Sequence, residues 1–436
     1  MKRIVLISII AIIIFYYQII KLNIFVFAAV SRGILTPNYF WWTFTDVFMK
    51  DNNGLNLYKD LKNYVSLNIF GTEMFLVKNT ESIRQILDNS PKIFGVGRFK
   101  YNFFKTFMRY NVGISEGVEW KERRKLNEKV LIHDHLHKYA NYHNNIIQTA
   151  LSKSLPQNFK EFEEMSKKII AEIVFNRRTI PIEIFEVFKE ANSMRAVIDP
   201  DYKLPMSLRN TFRNFIWKEL KNPRPNSLLS LCYKSVLKKE ELIDQVPHWI
   251  FPLGGIVHSN CPRVLTYLCK NNNIMERLKD ELKQIDLTDS FAIYNAKYLR
   301  RCILETLRFN NPVTSTFRTL LEDFRFEDGV FFKKDTQFVI LNNGVMRDES
   351  CFQNPNSFIP ERWTGQKERK YCSLMFSQGP QRCPGKELAI FLMSSFIAHY
   401  LKQIKVLDNL VTLKCKVTES QIINPYSISF IFTSRA

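Results

Sequence analysis

The first part of the chain is apolar almost throughout. An uncharged run extends from Ile4 to Ile20, is interrupted at Lys21 and resumes from Leu22 to Val30. A bilayer core is spanned by about 20 apolar residues, and a flanking lysine reaches the interface through its stem. We therefore expect one N-terminal transmembrane helix, with residues 1–30 as a membrane anchor and residues 31–436 as the folded domain. A cleaved secretory peptide stays open as an alternative, although its apolar core is usually only about 7–15 residues.

Beyond the anchor, the period of the apolar positions changes twice. Residues 65–70 and 74–77 follow the period of two that is typical of strands, and the glycine between them indicates a hairpin. A helix capped at Asn79 or Thr80 follows. Amphipathic segments with a helical period then occupy residues 140–250. The pattern predicts a short β-hairpin followed by a series of helices.

Composition narrows the classes of partner. The chain has 436 residues and a net charge of +20 at pH 7, with no repeat and no low-complexity tract. Its Lys and Arg residues are spread along amphipathic segments, so we expect no nucleic-acid partner; such a surface suits an acidic protein or anionic lipid. The eight cysteines include no CxxC pair and no zinc spacing. We therefore expect reduced thiols in a reducing compartment.

One short stretch, residues 376–385, has the composition of a metal-binding loop. Gly379 suits a tight turn, and Pro384 suits the first turn of a helix, where its missing N–H costs nothing. Cys383 then stands at a helix N-terminus, where the partial positive charge favours the thiolate that a metal requires. The alternative interpretation is a buried free cysteine in a Gly/Pro turn.

This stretch resembles the haem-binding loop of the cytochrome P450 family, in which Phe376, Gly379 and Cys383 stand in the family's order. The resemblance implies the cytochrome P450 fold, mainly α with small β-sheets. It also implies haem b with the Cys383 thiolate as axial ligand and Phe376, Gly379 and Arg382 as cofactor contacts. One departure is Gln381, where the family usually has Arg. A neutral amide does not form the charge-assisted bond that an Arg forms with a haem propionate.

Further motifs occur in the family's order. Trp120 and Arg124 are four residues apart, so they are neighbours on any helix, and a surface stacking pair is the alternative. In the family, residues at these positions bond a haem propionate, as does an Arg at the position of Arg318. The resemblance therefore implies cofactor contacts from Trp120, Arg124 and Arg318.

A third motif is structural. Glu305 and Arg308 have the i, i+3 spacing of an ordinary helix pair. In the family this pair is buried and is completed by a later Arg, which the resemblance identifies as Arg362. A buried network of this kind must be complete, because removing one partner leaves a charge unpaired at a cost of about 3–5 kcal/mol. We expect these three residues to hold the haem loop in place.

The largest departure lies on the expected distal helix, near Gly255. A glycine there allows the backbone to approach the open side of the iron. The family then has an acid followed by Thr, which relay protons, whereas this chain has Val257 and His258. His258 would serve as proton donor, as a distal iron ligand, or only as a hydrogen-bonded core histidine. Ser259 would hold a water molecule. We therefore list Gly255, His258 and Ser259 as candidate catalytic residues.

The resemblance implies a haem-thiolate monooxygenase that inserts one oxygen atom from O2 into an apolar, lipid- or sterol-like substrate. Electrons would come from an NAD(P)H-dependent P450 reductase or a ferredoxin-type donor. Two alternatives stay open because the acid–alcohol pair is missing: a haem-thiolate isomerase or dehydratase acting on a peroxide, and a haem-binding protein without turnover. The expected location is a membrane of the endoplasmic-reticulum type, with the catalytic domain in the cytosol.

Overall fold

The structure, a computed structural model, covers most of the expected folded domain. It describes residues 63–69, 72–131, 133–191, 203–232, 235–365, 371–408, 410–417, 423 and 425–434. The expected anchor over residues 1–30 lies outside the described residues. Within the described ranges, no helix has both the length and the apolar character needed to cross a bilayer.

Helices dominate the described chain, as the resemblance implied. The α-helices are α1 (Thr80–Asp88), α2 (Arg98–Lys105), α3 (Gly117–Leu131), α4 (His133–Lys153), α5 (Phe159–Phe175), α6 (Glu183–Ala191), α7 (Met206–Lys221), α8 (Lys239–Gly255), α9 (Cys261–Lys270), α10 (Asn272–Lys283), α11 (Ser290–Tyr294), α12 (Lys297–Phe309), α13 (Asn342–Val345) and α14 (Lys386–Gln403). A π-helical turn, Ile256–Asn260, joins α8 to α9, and four 3-10 helices lie at Val112–Ile114, Leu228–Cys232, Pro360–Trp363 and Pro425–Ser427.

In the part of the chain that the structure describes, the strands form one five-stranded sheet and two short two-stranded sheets. They are β1 (Tyr64–Ile69), β2 (Thr72–Val77), β3 (Phe94–Val96), β4 (Ser315–Leu320), β5 (Phe324–Arg325), β6 (Phe331–Phe332), β7 (Gln337–Leu341), β8 (Val411–Lys416) and β9 (Ser429–Ser434). The large sheet has the order β1-β2-β7-β4-β3, with β2 and β7 parallel. The predicted hairpin is β1 and β2, and the side chain of Asn79 caps α1 as predicted.

The core of the domain is a helix bundle around α14. This helix is buried on nearly all sides between Leu388 and Leu401, as expected for a helix that is apolar all round. It packs against α4, while α5 packs against both α8 and the π-helical turn. Because α14 begins at Lys386, directly after the 376–385 loop, the bundle fixes the position of that loop.

The cysteines differ from the sequence prediction. Cys351 and Cys372 form a disulfide with a Cα–Cα distance of 5.4 Å, so the expectation of reduced thiols is wrong for this pair. The two residues are 21 positions apart, and only the folded chain brings them within bonding reach.

Candidate functional site: a cysteine loop beside a basic cluster

The loop that carries Cys383 is held by backbone hydrogen bonds. The Cys383 amide donates to the Phe376 carbonyl at 2.7 Å, and the Arg382 amide donates to the Gly379 carbonyl at 3.1 Å. Gly379 has a φ of +71°, and a Cβ at this position would lie 2.3 Å from the Leu87 carbonyl oxygen. Only glycine therefore fits where the loop rests against the end of α1.

The Cys383 side chain opens into a cavity of about 360 Å³ whose walls come from α3, the loop and the start of α14. Although solvent reaches it, protein atoms surround the thiol, and burial raises its pKa. The Gly385 amide and the charges of Arg124 and Lys386 act in the opposite direction. A helix N-terminus was expected to lower the pKa of the Cys383 thiol, but the effect of burial is larger and raises it. Binding of a metal would displace the thiol proton.

Arg124 joins helix α3 to the cysteine loop. One guanidinium nitrogen donates to the Arg382 carbonyl at 2.6 Å, and Nε donates to the Glu128 carboxylate at 2.7 Å. Trp120 lies one turn earlier and is half-buried, and its indole N–H bonds no described residue. The Arg382 side chain is exposed at the rim of the cavity, beside Phe376. The structure therefore brings Arg124, Phe376 and Arg382 together around Cys383, whereas Trp120 does not line this cavity.

Glu305 is the centre of a buried charge network on α12. Its carboxylate accepts two bonds from Arg308, at 3.0 and 2.8 Å, and one from Nε of Arg362 at 2.9 Å. The Trp363 indole donates to the same carboxylate at 3.0 Å, a contact that the sequence did not suggest. Glu305 and Arg308 are fully buried. The network ties α12 to the segment that precedes the cysteine loop.

The expected distal helix is α8, and the π-helical turn interrupts it just after Gly255. His258 lies in this turn, with Nδ1 3.4 Å from the Ser166 hydroxyl and its ring 5.6 Å from that of Phe159. Both partners are on α5. Burial lowers the pKa of His258 to about 4, so the ring is neutral near pH 7. Of the three roles left open by the sequence, this packing favours the hydrogen-bonded core histidine.

The opposite face of the distal helix borders open space. His248, Pro252, Gly255 and Ser259 follow one another at helical spacing, and all four keep solvent access although most of their neighbours are buried. No atom lies within 4 Å of the position that a Cβ of Gly255 would take. The Gly255 backbone is therefore accessible to a ligand, and Ser259 carries the only hydroxyl of these four side chains.

Arg318 on β4 is a buried cation. Its Nε donates to the Ser90 hydroxyl at 2.9 Å, and NH1 donates to the Phe317 carbonyl at 2.8 Å. Within the described ranges, no carboxylate forms an ion pair with it, and burial lowers its pKa to about 10. Such a burial is costly unless an anion compensates it.

Two further basic groups, which the sequence analysis missed, lie beside Arg318. Lys100 Nζ and His248 Cε1 approach the same point, 3.6 and 3.4 Å from where a Cβ of Gly113 would lie. Burial and the charge of Arg318 lower the pKa of Lys100 to about 7. Burial, Lys100 and Arg124 lower the pKa of His248 to about 4. We call Lys100, Arg124, His248 and Arg318 the basic cluster.

The residues present fit the haem that the resemblance implies. Cys383 is the one thiol among the residues that line the cavity, and a Cys thiolate is the haem ligand in the family that the loop resembles. The Gly255 backbone on the expected distal side is open to a ligand, because a Cβ there would meet no atom within 4 Å. The basic cluster provides the positive charge that the two haem carboxylates require. No group of three or more His, Cys, Asp or Glu side chains among the described residues suggests another metal.

Comparison with known proteins agrees with this arrangement. Residues 262–430 match the cytochrome P450 family model. A β-amyrin 28-monooxygenase from Solanum lycopersicum is 30% identical over 162 residues, which are 35% of this chain and 34% of the relative. A mitochondrial sterol 26-hydroxylase from Rattus norvegicus is 28% identical over 189 residues, 40% of this chain and 35% of the relative. The chain thus spans about a third of the length of these relatives.

The fold agrees over a longer range. The crystal structure of a cytochrome P450, CYP102L1, superposes with a TM-score of 0.72 at 16% identity, covering 87% of this chain and 97% of that chain. The described chain therefore has the cytochrome P450 fold, and the family match supports the same assignment for its C-terminal part. Haem held by a cysteine thiolate is the cofactor of this family, and Cys383 lies within the matched residues.

Proposed function

We propose that the chain is a haem-thiolate monooxygenase that inserts one oxygen atom of O2 into an apolar substrate. The observation that carries this proposal is a single loop cysteine, Cys383, that opens into the site close to a buried basic cluster. The two relatives described above are named as a monooxygenase and a hydroxylase, which supports this kind of reaction.

In this proposal the protein holds the cofactor from two sides. Cys383 binds the iron, while Phe376 and Gly379 shape the loop around it. Trp120, Arg124, Arg318 and Arg382 stabilise the carboxylate edge. When bound, the haem supplies oxygen activation: one oxygen atom enters a C–H bond and the other leaves as water, with two electrons and two protons consumed. Glu305, Arg308 and Arg362 act as positioning residues for the loop.

An aromatic wall supports an apolar substrate. Phe104 and Phe107, at the end of α2, lie 6.0 Å apart between ring centroids, and Phe107 lies 5.8 Å from Phe188 on α6. Phe188 in turn lies 5.8 Å from Phe251 on α8. Phe251 comes four residues before Gly255 on the same helix. Phe107 and Phe188 are already buried, so a lipid- or sterol-like molecule would bury apolar area against Phe104 and Phe251, which are only partly buried.

Proton delivery rests with Ser259 in this proposal. Val257 is buried and apolar, and His258 packs against α5. The Ser259 hydroxyl is the polar group that follows Gly255 on the open face, where it would position a water molecule. This sparse supply of protons favours one alternative, a haem-thiolate isomerase or dehydratase that rearranges a peroxide and needs no external electrons.

The partners follow from the reaction. We infer a separate electron donor, either an NAD(P)H-dependent P450 reductase or a ferredoxin-type protein. We also infer a membrane anchor over residues 1–30 in a membrane of the endoplasmic-reticulum type, because that segment is long and apolar. The diffuse net charge of +20 suits an acidic donor protein or an anionic lipid surface.

Two assays on the purified holoenzyme test the function. Consumption of NAD(P)H in the presence of a reductase, coupled to a hydroxylated product from a library of lipids and sterols, is the expected result. Rapid turnover of a lipid hydroperoxide without reductase would favour the isomerase or dehydratase. Stable haem binding with activity in neither assay would contradict both enzymes and favour a haem-binding protein without turnover.

A further inference from the structure

The basic cluster lacks the acids that normally accompany buried cations. Arg318 is 6% exposed and bonds only neutral oxygens. No carboxylate contributes to the lowered pKa values of Lys100 and His248, which neighbouring cations depress further. Arg124 does have a carboxylate partner, Glu128, but that side chain is 41% exposed, so solvent weakens the pair. Cations collected without acids are unfavourable in the protein alone and indicate that an anionic ligand completes the site.

The geometry identifies which groups face this ligand together. Lys100 belongs to α2, His248 to α8 and Arg318 to β4, so three elements from distant parts of the sequence converge. Gly113 lies between Lys100 and His248, and any side chain at this position would come within 3.4 Å of the His248 ring. Because three elements meet here and Gly113 has no side chain, Lys100 and His248 can point toward the same space.

The loop sequence explains why additional cations are needed. Gln381 stands two residues before Cys383, where a charged Arg is usual in the family that the loop resembles. Its amide forms neutral hydrogen bonds, which are about half as strong as charge-assisted ones. A haem carries two carboxylates, so the lost charge must be supplied from another element.

We propose that Lys100 and His248 bind the haem carboxylates together with Arg318 and Arg124, and that they replace the cation missing at Gln381. This inference rests on the proposed haem site. The Lys100 side chain ends in an ammonium group with three N–H donors on a flexible stem, so it can adjust to the position of a haem carboxylate. His248 adds a shorter, directional donor from the distal helix.

The decisive experiment compares haem with its dimethyl ester, in which both carboxylates are blocked. Full-length holoprotein is prepared with each porphyrin, and its release to an excess of haem-free myoglobin is followed by absorption. For Lys100→Met, we expect release of haem to accelerate about tenfold or more, because a hydrogen bond between charged groups is lost. Release of the dimethyl ester should be the same for wild type and Lys100→Met.

Matched variants distinguish binding of the haem carboxylates from a nonspecific disruption of the fold. Lys105→Met removes a lysine from the same helix that contacts the Tyr101 ring, and it should release haem at the wild-type rate. Lys100→Arg should restore slow release because it restores the charge. His248→Phe keeps a planar ring without a donor and should accelerate release of haem but not of the ester.

The outcomes distinguish this inference from the proposed function. If wild-type protein retains haem but Lys100→Met and His248→Phe release it at the wild-type rate, the inference is overturned and the proposed function stands. If Lys100→Met accelerates release of haem and of the ester equally, the lysine acts through the fold and the inference is likewise overturned. If wild-type protein binds neither porphyrin, the proposed function and the inference both fail.

Discussion

Two groups of charged residues accompany the cysteine loop, the Glu305 network and the basic cluster, and they differ in whether their charges are paired. In the Glu305 network, one carboxylate satisfies two guanidiniums and an indole N–H, all within 3.0 Å. In the basic cluster, Arg318 is almost as deeply buried but has only a hydroxyl and a carbonyl as partners. The first group is complete in the protein alone, and the second requires a ligand.

This difference separates residues that stabilise the fold from residues that bind. Disrupting a complete network should lower the free energy of unfolding with or without the cofactor, because a buried charge loses its partner. Disrupting an incomplete cluster should leave the apoprotein intact and weaken cofactor binding. Charge pairing therefore separates the expected role of the Glu305 network from that of the basic cluster.

The largest effect is expected at Glu305. Glu305→Gln leaves Arg308 and Arg362 without a negative partner, which should lower the free energy of unfolding by about 3–5 kcal/mol. Urea unfolding followed by circular dichroism measures this loss. Glu361→Gln is the matched control, since Glu361 is half-exposed and pairs with an exposed Arg277, a type of pair worth about 0–1 kcal/mol. Equal losses in both variants would contradict the distinction.

Arg318 should show the opposite pattern. Arg318→Met removes a buried charge that has no acidic partner, so the apoprotein should change in stability by less than about 1 kcal/mol. Haem release should nevertheless accelerate by about tenfold or more. Urea unfolding of the apoprotein and haem transfer to myoglobin measure the two effects separately. A loss of apoprotein stability as large as that of Glu305→Gln would show that Arg318 is structural.

A pH titration sharpens the comparison at Lys100. Burial and Arg318 lower the pKa of this amine from 10.5 to about 7, and a bound carboxylate would raise it again. Above pH 7, haem binding therefore takes up a proton at Lys100, and the affinity that this residue contributes falls as pH rises through 7. The advantage of wild type over Lys100→Met should be largest below pH 7 and shrink by up to about tenfold per pH unit above it.

The quantity compared is the ratio of the haem affinity of wild type to that of Lys100→Met, because other groups also titrate. Arg318 lies beside Lys100 in both proteins, and Cys383 loses a proton on binding iron in both, so their effects cancel. His248 adds little above pH 6, because burial is the largest cause of its lowered pKa and acts in both proteins. Haem affinity is measured for the two proteins at each pH by the same competition with haem-free myoglobin. A ratio that stays constant from pH 6 to pH 9 would contradict the placement of Lys100 beside the carboxylates.

The smallest effect is expected at His258. His258→Gln keeps a polar side chain opposite Ser166 and should leave the haem spectrum and haem release unchanged, because the ring faces α5. Ser259→Ala should instead raise the fraction of electrons lost as peroxide, since a proton-positioning hydroxyl is removed. Absorption spectra and a peroxide assay measure these outcomes. A changed ligand field in His258→Gln would show that this histidine reaches the iron.

Local signals in the sequence were sufficient to predict several elements of the fold and one ion pair. The alternation around the β1–β2 turn predicted the hairpin, and Asn79 predicted the start of α1. The i, i+3 spacing of Glu305 and Arg308 likewise identified two side chains that pair in the structure. In each of these cases the interacting groups lie close together in the chain, so the period or the spacing carries the information.

The basic cluster could not be predicted in this way. Lys100 is one lysine among many and His248 is one histidine on a long helix. Only the folded chain shows that both side chains approach Gly113 and share a space. The orientation of His258 was hidden for a related reason. The π-helical turn at Ile256–Asn260 changes which side chains face α5, and sequence spacing alone does not indicate such a turn.

The most direct test of the central claim is the absorption spectrum of the purified protein, first ferric and then reduced under carbon monoxide. If Cys383 binds haem iron and the face around Gly255 is open, the reduced carbon monoxide complex should show the red-shifted Soret band of thiolate-ligated haem. Cys383→Ala should lose that band. Protein without bound haem, or a Cys383→Ala variant that keeps the thiolate spectrum, would contradict the account.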